Sequence, residues 1–144
     1  MAVIRSGVQY SGKWNLQTQG QALGAGKWPG FELVGPGALW GWGYNFKGQL
    51  GLGNTTYAYS SPTQIGALTT WLKIASGYGH SIAIKSDGTL STWGQNTQGQ
   101  LGQSTADAAN TSSPVQVGAL TNWSKIAGGY YHSVAITTGG ALYS

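Results

Sequence analysis

Two long words of the chain each occur twice at a fixed spacing, and that self-similarity limits the possible folds more than any other feature. SSPTQIGALTTWLKIASGYGHSIAI, from Ser60 to Ile84, returns as SSPVQVGALTNWSKIAGGYYHSVAI, from Ser112 to Ile136, at an offset of 52. KGQLG at Lys47–Gly51 returns as QGQLG at Gln98–Gly102, with Leu39 matching Leu90 and Trp42 matching Trp93, all at an offset of 51. The extra residue enters in the loop around Thr105 to Asn110. A period near fifty marks a chain built from stacked copies of one supersecondary unit.

Within the unit the pattern is that of short strands. Lys73, Ile74 and Ala75 form a β-prone run after Trp71. His80, Ile82 and Ile84 fall on one face of an extended segment, and Ser81, Ala83 and Lys85 on the other. Asp87-Gly88 is a hairpin signal, replaced by Gly139-Gly140 in the second copy, and Leu90–Trp93 is the returning strand. No segment shows helical periodicity with caps. Several short strands per fifty-residue period point to propeller blades, small antiparallel sheets that each need neighbours to bury both faces. The expected fold is all-β: a partial β-propeller of two whole repeats, 38–88 and 89–140, with the start of a third, preceded by an N-terminal segment at 1–37.

Composition removes several classes of function. Charged residues make up 7% of the chain, against roughly 25% in ordinary soluble domains. No apolar run approaches the ~20 residues of a membrane-spanning helix, so membrane insertion is not expected. The net charge of +4 is scattered and Arg5 is the only arginine, which argues against a nucleic-acid partner. There is no cysteine, hence no disulfide framework and no thiolate metal site. The start, MAVIRSGVQYSGKW, lacks the apolar core of a secretory signal. Retention in the cytoplasm, a leader already removed, and release by lysis all fit.

The repeated words resemble the regulator of chromosome condensation repeat family. IASGYGHSIAI (Ile74–Ile84) and IAGGYYHSVAI (Ile126–Ile136) are similar to its signature of small residues, a glycine, two free positions, His-Ser and alternating apolar residues. WGYNFKGQLGLG (Trp42–Gly53) and WGQNTQGQLGQ (Trp93–Gln103) resemble its W-G-x-N-x-x-G-Q-L-G loop. The resemblance spans residues 38–144 and implies a seven-bladed propeller for complete members. Ala141–Ser144 opens a third repeat and stops before its tryptophan, so the natural polypeptide is expected to continue, or other chains to complete the sheet.

His80, beside Ser81 and near Asp87, invites a catalytic reading. Its recurrence as His132 in the same word argues instead for a structural role, a ring nitrogen bonded to a carbonyl that locks the blade turn. Asp87 reads as a turn former. Glu32 and Asp107, the other carboxylates, lie in unrelated contexts, and the glycine-rich words lack the Lys-Ser/Thr ending of a phosphate loop. No catalytic, cofactor or metal site is expected. The repeated pairs Trp42 with Trp93 and Trp71 with Trp123 read as blade packing. Tyr10 in the N-terminal segment, Trp14, Trp28 and Trp40, which have no partner in the repeat, and Tyr57 and Tyr59, in a loop that differs between copies, are the candidate partner-binding residues.

Sparse charge, an aromatic N-terminal segment and an end within a repeat lead to one expected function. It is a non-enzymatic structural protein of a virus particle, such as a phage tail fibre. Residues 1–37 would dock on other virion proteins, the chain would form a homo-oligomer, and the propeller would face a host receptor or glycan. The alternative is a secreted or cell-surface module binding a protein or glycan. A GTPase exchange factor, the family's namesake activity, fits poorly with three carboxylates.

Overall fold

The structure is a computed structural model that describes residues 36–103 and 109–144. Expectations placed on Tyr10, Trp14, Trp28 and the rest of 1–35 lie outside the described residues. Every regular element among the described residues is a strand. In chain order they are β1 (Trp40–Tyr44), β2 (Ala58–Gln64), β3 (Trp71–Ser76), β4 (His80–Lys85), β5 (Leu90–Gly94), β6 (Thr111–Gln116), β7 (Trp123–Gly128), β8 (Ser133–Thr137) and β9 (Leu142–Tyr143). Three sheets result: β1-β2, β3-β4-β5-β6 and β7-β8-β9, antiparallel throughout and joined in sequence order.

The middle sheet is one whole blade. Its β4–β5 hairpin pairs Ile84 with Leu90 and Ser81 with Trp93. Asp87 holds the turn, its Oδ1 accepting the Thr89 amide at 3.0 Å and the Thr89 hydroxyl at 2.6 Å. These two bonds hold the Asp87 carboxyl below its ordinary range. Pro62 and Pro114, which have no N–H to give a ladder, sit in β2 and β6, the edge strands of their sheets.

The sheets run out of step with the sequence period. β3 to β6 take the end of one repeat and the start of the next, so each period supplies two outer strands of one blade and two inner strands of its successor. By the repeat spacing, β1 and β9 stand where β5 stands, β2 where β6 stands, and β7 and β8 where β3 and β4 stand. The first sheet therefore corresponds to the outer half of a blade, and the last to the inner half with a short third strand.

Both faces of β4 are buried from His80 to Ile84, as is all of β5. On one side Ile82, Ile84 and Leu90 pack with Trp123 and Ala135 of the next sheet. On the other, Ala83 packs with Trp71 and Trp93, and Leu39 closes over them. The indoles of Trp71 and Trp93 lie 5.9 Å apart. Trp93, Trp71 and Trp123 are core residues, as the repeat implies. Trp42 is not: it is 61% exposed where Trp93 is 1% exposed. The reason is positional. Trp93 is roofed by the loop of the preceding sheet, and among the described residues Trp42 has no such neighbour.

Candidate binding surface at the blade turns

The W-G-x-N-x-x-G-Q-L-G word is a self-closing loop. Asn45, fully buried, accepts the Leu50 amide through Oδ1 at 3.0 Å, and Asn96 accepts the Leu101 amide at 3.1 Å. The Gln49 and Gln100 side chains bond back to the amides of Lys47 and Gln98. With both glutamine side chains so used, their backbone carbonyls point outward toward the next blade. Ser81 Oγ donates to Gln49 O at 2.8 Å, and Trp93 Nε1 donates to the same oxygen at 2.9 Å. One repeat later Ser133 Oγ donates to Gln100 O at 2.7 Å. The loops are clasps between blades, built from backbone oxygens.

His80 Nε2 lies 3.0 Å from Ser133 Oγ, a separation at which a base could activate a nucleophile. The proton count rules this out. A serine hydroxyl has one proton, and that of Ser133 goes to the Gln100 carbonyl, which can only accept. His80 Nε2 must then donate, which is the wrong tautomer for a general base. The ring is also 1% exposed, and burial, reinforced by the nearby His132, holds its pKa below the ordinary value of 6.5. Its role is structural, as its repetition implies. The hydrogen-bond partner of Nε2 is a serine hydroxyl of the following blade, and the backbone of His132, next to that serine, acts on the ring against the effect of burial. His132, with no described blade beyond it, is exposed.

The histidines end two tight turns in which Gly77 N–H donates to His80 O and Gly129 N–H to His132 O. Neighbouring turns touch through their backbones: Tyr78 N–H donates to Gly129 O, and a Cβ on Gly128 would stand 2.6 Å from Gly77 N. This contact sets the two free positions of the repeated word side by side on the surface. Tyr78 and Tyr130 stack at 4.2 Å with their planes 16° apart, and Tyr131 meets Tyr130 edge-on at 4.3 Å. All three rings are exposed. Hydrogen bonding to Tyr78 and then Tyr131 pushes the Tyr130 phenol up to about 12. Stacked aromatic faces with polar rims are rigid and amphipathic, the type of surface that anchors a partner.

The residues singled out in the sequence fall elsewhere. Trp40, half exposed, shares a face of β1 with Trp42 and Tyr44. Tyr57 is 70% exposed and sits edge-on to Tyr44 at 5.2 Å. Tyr59 is partly buried, its hydroxyl donating to Asn54 Oδ1 at 3.1 Å. Tyr57 thus borders Tyr44, and Trp40 lies at the other end of β1 on the same exposed face. Tyr78, Tyr130 and Tyr131 were not among the expected residues. The available signal was that the first free position of the word carries a tyrosine in both copies, Tyr78 and Tyr130, and the second carries Tyr131 in one.

One four-stranded antiparallel sheet, flanked along the chain by a two-stranded and a three-stranded sheet that match parts of it by repeat position, has the form of a β-propeller blade among its neighbours. The chain belongs to the regulator of chromosome condensation (RCC1) repeat family, whose model matches residues 36–84 and 87–136; a second RCC1 repeat model matches 71–100. It is 33% identical over 136 residues to the human probable E3 ubiquitin-protein ligase HERC3, covering 92% of this chain and 13% of that protein. It is 36% identical over 111 residues to the Arabidopsis thaliana ultraviolet-B receptor UVR8, covering 74% and 24% respectively. Among solved structures, that of Kap60 bound to yeast RCC1 (Prp20) superposes with a TM-score of 0.65 at 23% identity, covering 74% of this chain and 27% of the other. Prp20p from Saccharomyces cerevisiae, studied for its binding to Gsp1p and histones, gives 0.61 at 31% identity, with 74% and 26% covered. The chain therefore spans between 13% and 24% of the length of these two curated relatives.

Proposed function

We propose that the chain is a non-enzymatic, partner-binding portion of an RCC1-repeat propeller, and that Tyr78, Tyr130 and Tyr131 form its contact surface for a protein. The observation that carries this is the exposed Tyr78–Tyr130 stack, aligned across two blades by a backbone contact between their turns. Relatives described as bound to Kap60, or as binding Gsp1p and histones, support a protein as the partner. The test is quantitative cross-linking of the wild-type protein and a Tyr78→Ala/Tyr130→Ala variant in the native source. A partner recovered at least about tenfold less with the variant is expected, since two aromatic anchors are lost. Identical recovery by both proteins would sink the assignment, and capture by a glycan array alone would move it to the glycan class.

The finer reading, a virion appendage docked through residues 1–37, draws its support from the 7% charge content and the aromatic N-terminal segment. Mass spectrometry of purified particles from the source tests it: absence of this chain from the particles removes that reading and leaves the tyrosine surface untouched.

A further inference from the structure

We propose that His80 makes the tyrosine surface acid-labile: when its buried ring takes up a second proton, the Tyr78 and Tyr130 turns part, and a partner held on their stacked rings is released. Three contacts close the seam between these turns. Tyr78 N–H donates to Gly129 O at 3.3 Å, the Tyr78 and Tyr130 rings stack at 4.2 Å, and behind them His80 Nε2 meets Ser133 Oγ at 3.0 Å. His80 ends the turn that carries Tyr78, and Gly77 N–H donates to its carbonyl at 2.9 Å. The buried imidazole and the exposed phenol therefore belong to one tight turn.

The closed seam has no place for the extra proton. Nε2 already carries the hydrogen given to Ser133, whose own proton goes to Gln100 O. The second proton must enter at Nδ1, which is buried and has no hydrogen-bond partner among the described residues. A buried N–H without an acceptor is costly, and a buried charge more so. The surroundings do not compensate. β5 and the loops beside it bring Gly94, Gln95, Gln49 and Gln100, all uncharged. β8 brings the Ser133 hydroxyl, and the titratable groups of the two turns are the phenols of Tyr78, Tyr130 and Tyr131 and the imidazole of His132. Charge on His132 opposes charge on His80, and only the His132 backbone favours it. Lys47, Lys73, Lys85 and Lys125 are cations, and Asp87, the one carboxylate side chain among the described residues, stands in the hairpin at the other end of β4. Nor can the ring swing out alone. A Cβ on Gly77 would stand 2.6 Å from Nδ1 and 2.5 Å from Gly129 O, so imidazole, glycine and facing turn are in direct contact. The charged ring reaches water only if the turns separate, which breaks the Tyr78–Gly129 bond and unstacks the tyrosines. A histidine in water takes its proton near 6.5, so the closed seam is favoured above that pH and weakened below it, where the open form binds the proton more readily.

Release of a partner rests on the tyrosine reading above; the parting of the turns does not. NMR of the chain with isotope-labelled tyrosine and histidine follows the turns directly. Tyr78→Phe and Tyr130→Phe identify the two ring signals, and His80→Gln and His132→Gln identify the imidazoles. Acid titration should move both tyrosine rings out of each other's ring current at a midpoint below 6.5 shared with His80, while circular dichroism shows the strands intact. The ratio of open to closed turns should rise by up to about tenfold per pH unit, the slope of one proton. His80→Gln, whose amide can still donate to Ser133 but gains no charge, should keep the rings stacked over the same range, and His132→Gln should keep the transition. Tyrosine signals that stay still, that titrate with His132 instead, or that change only as the strands melt overturn the proposal. So does a transition that persists in His80→Gln. Should a histidine variant fail to fold, the shared midpoint in the unaltered chain decides alone. Unchanged cross-linking by the tyrosine variant would remove the partner and leave the acid-opened turns standing, whereas still tyrosine signals would remove the acid response and leave the contact surface.

Discussion

The carbonyl of Gln49 accepts two hydrogen bonds, from Ser81 Oγ at 2.8 Å and Trp93 Nε1 at 2.9 Å, and this predicts a specific failure of additivity. Ser81→Ala removes one donor and leaves the oxygen satisfied by the indole. The cost is that of one ordinary hydrogen bond, about 1 kcal/mol. Trp93→Phe removes the other donor and trims a ring packed on Trp71 and Ala83, for about 1–2 kcal/mol. The oxygen is then still held by Ser81. Together the two changes leave a carbonyl between blades with no donor, and an orphaned acceptor costs about 1–3 kcal/mol in addition to the separate losses. Urea unfolding followed by circular dichroism, for wild type, both single variants and the double, measures the coupling. An interaction energy of at least about 1 kcal/mol is expected, beyond the ~0.3–0.5 kcal/mol scatter of independent sites. Additivity within that scatter would refute the claim that one oxygen serves both donors.

Ser133→Ala should destabilise more than Ser81→Ala, by about 1–2 kcal/mol, because it strands both the Gln100 carbonyl and the His80 N–H in one step; equal urea midpoints would contradict this. Acid should weaken the fold through His80. Its folded pKa lies below 6.5, so between the two values the unfolded chain binds more protons, and stability rises with pH there and falls as pH drops below 6.5. His80→Gln should flatten that part of the pH–stability curve, and an unchanged slope would remove His80 as its source. Gly128→Ala should cost about 1–3 kcal/mol in thermal or urea melts, since its Cβ would press to 2.6 Å from the Gly77 backbone nitrogen; a neutral substitution would mean that the turns do not touch.

Much of this architecture was legible in the sequence because it is carried by spacing. The period, the Asp87-Gly88 hairpin and the all-β class follow from patterns local to one unit. What was not legible depends on neighbours. Ser81 and Ala83 look like the wet face of a half-buried strand, yet Ser81 is turned to a carbonyl of the preceding loop and Ala83 is pressed by Trp71 and Trp93. Trp42 and Trp93 occupy the same word and end in opposite environments, because burial is decided by whether an adjoining blade is present. Gln49 and Gln100 act on the next blade through backbone oxygens, which every residue has, so no side-chain pattern announces them. The tyrosines went unseen for the opposite reason: they occupy the positions that the structural word leaves free.

The order His-Ser in the repeated word has a physical logic that the bonds make explicit. In Ser133 the hydroxyl gives its proton back to Gln100 and offers its oxygen back to His80, both in the preceding sheet. Ser81 makes the corresponding donation to Gln49 of the sheet before it. Through its serine each word is tied back to its predecessor, and His80 is sealed by the serine that the next word supplies. His80 is sealed and His132 is not, although their local sequences are almost identical. Stability in such a chain accumulates as a sum of nearest-neighbour contacts, as in other repeat proteins. Among the described residues, Gln49 O receives both a serine hydroxyl and an indole N–H, while Gln100 O receives the serine hydroxyl.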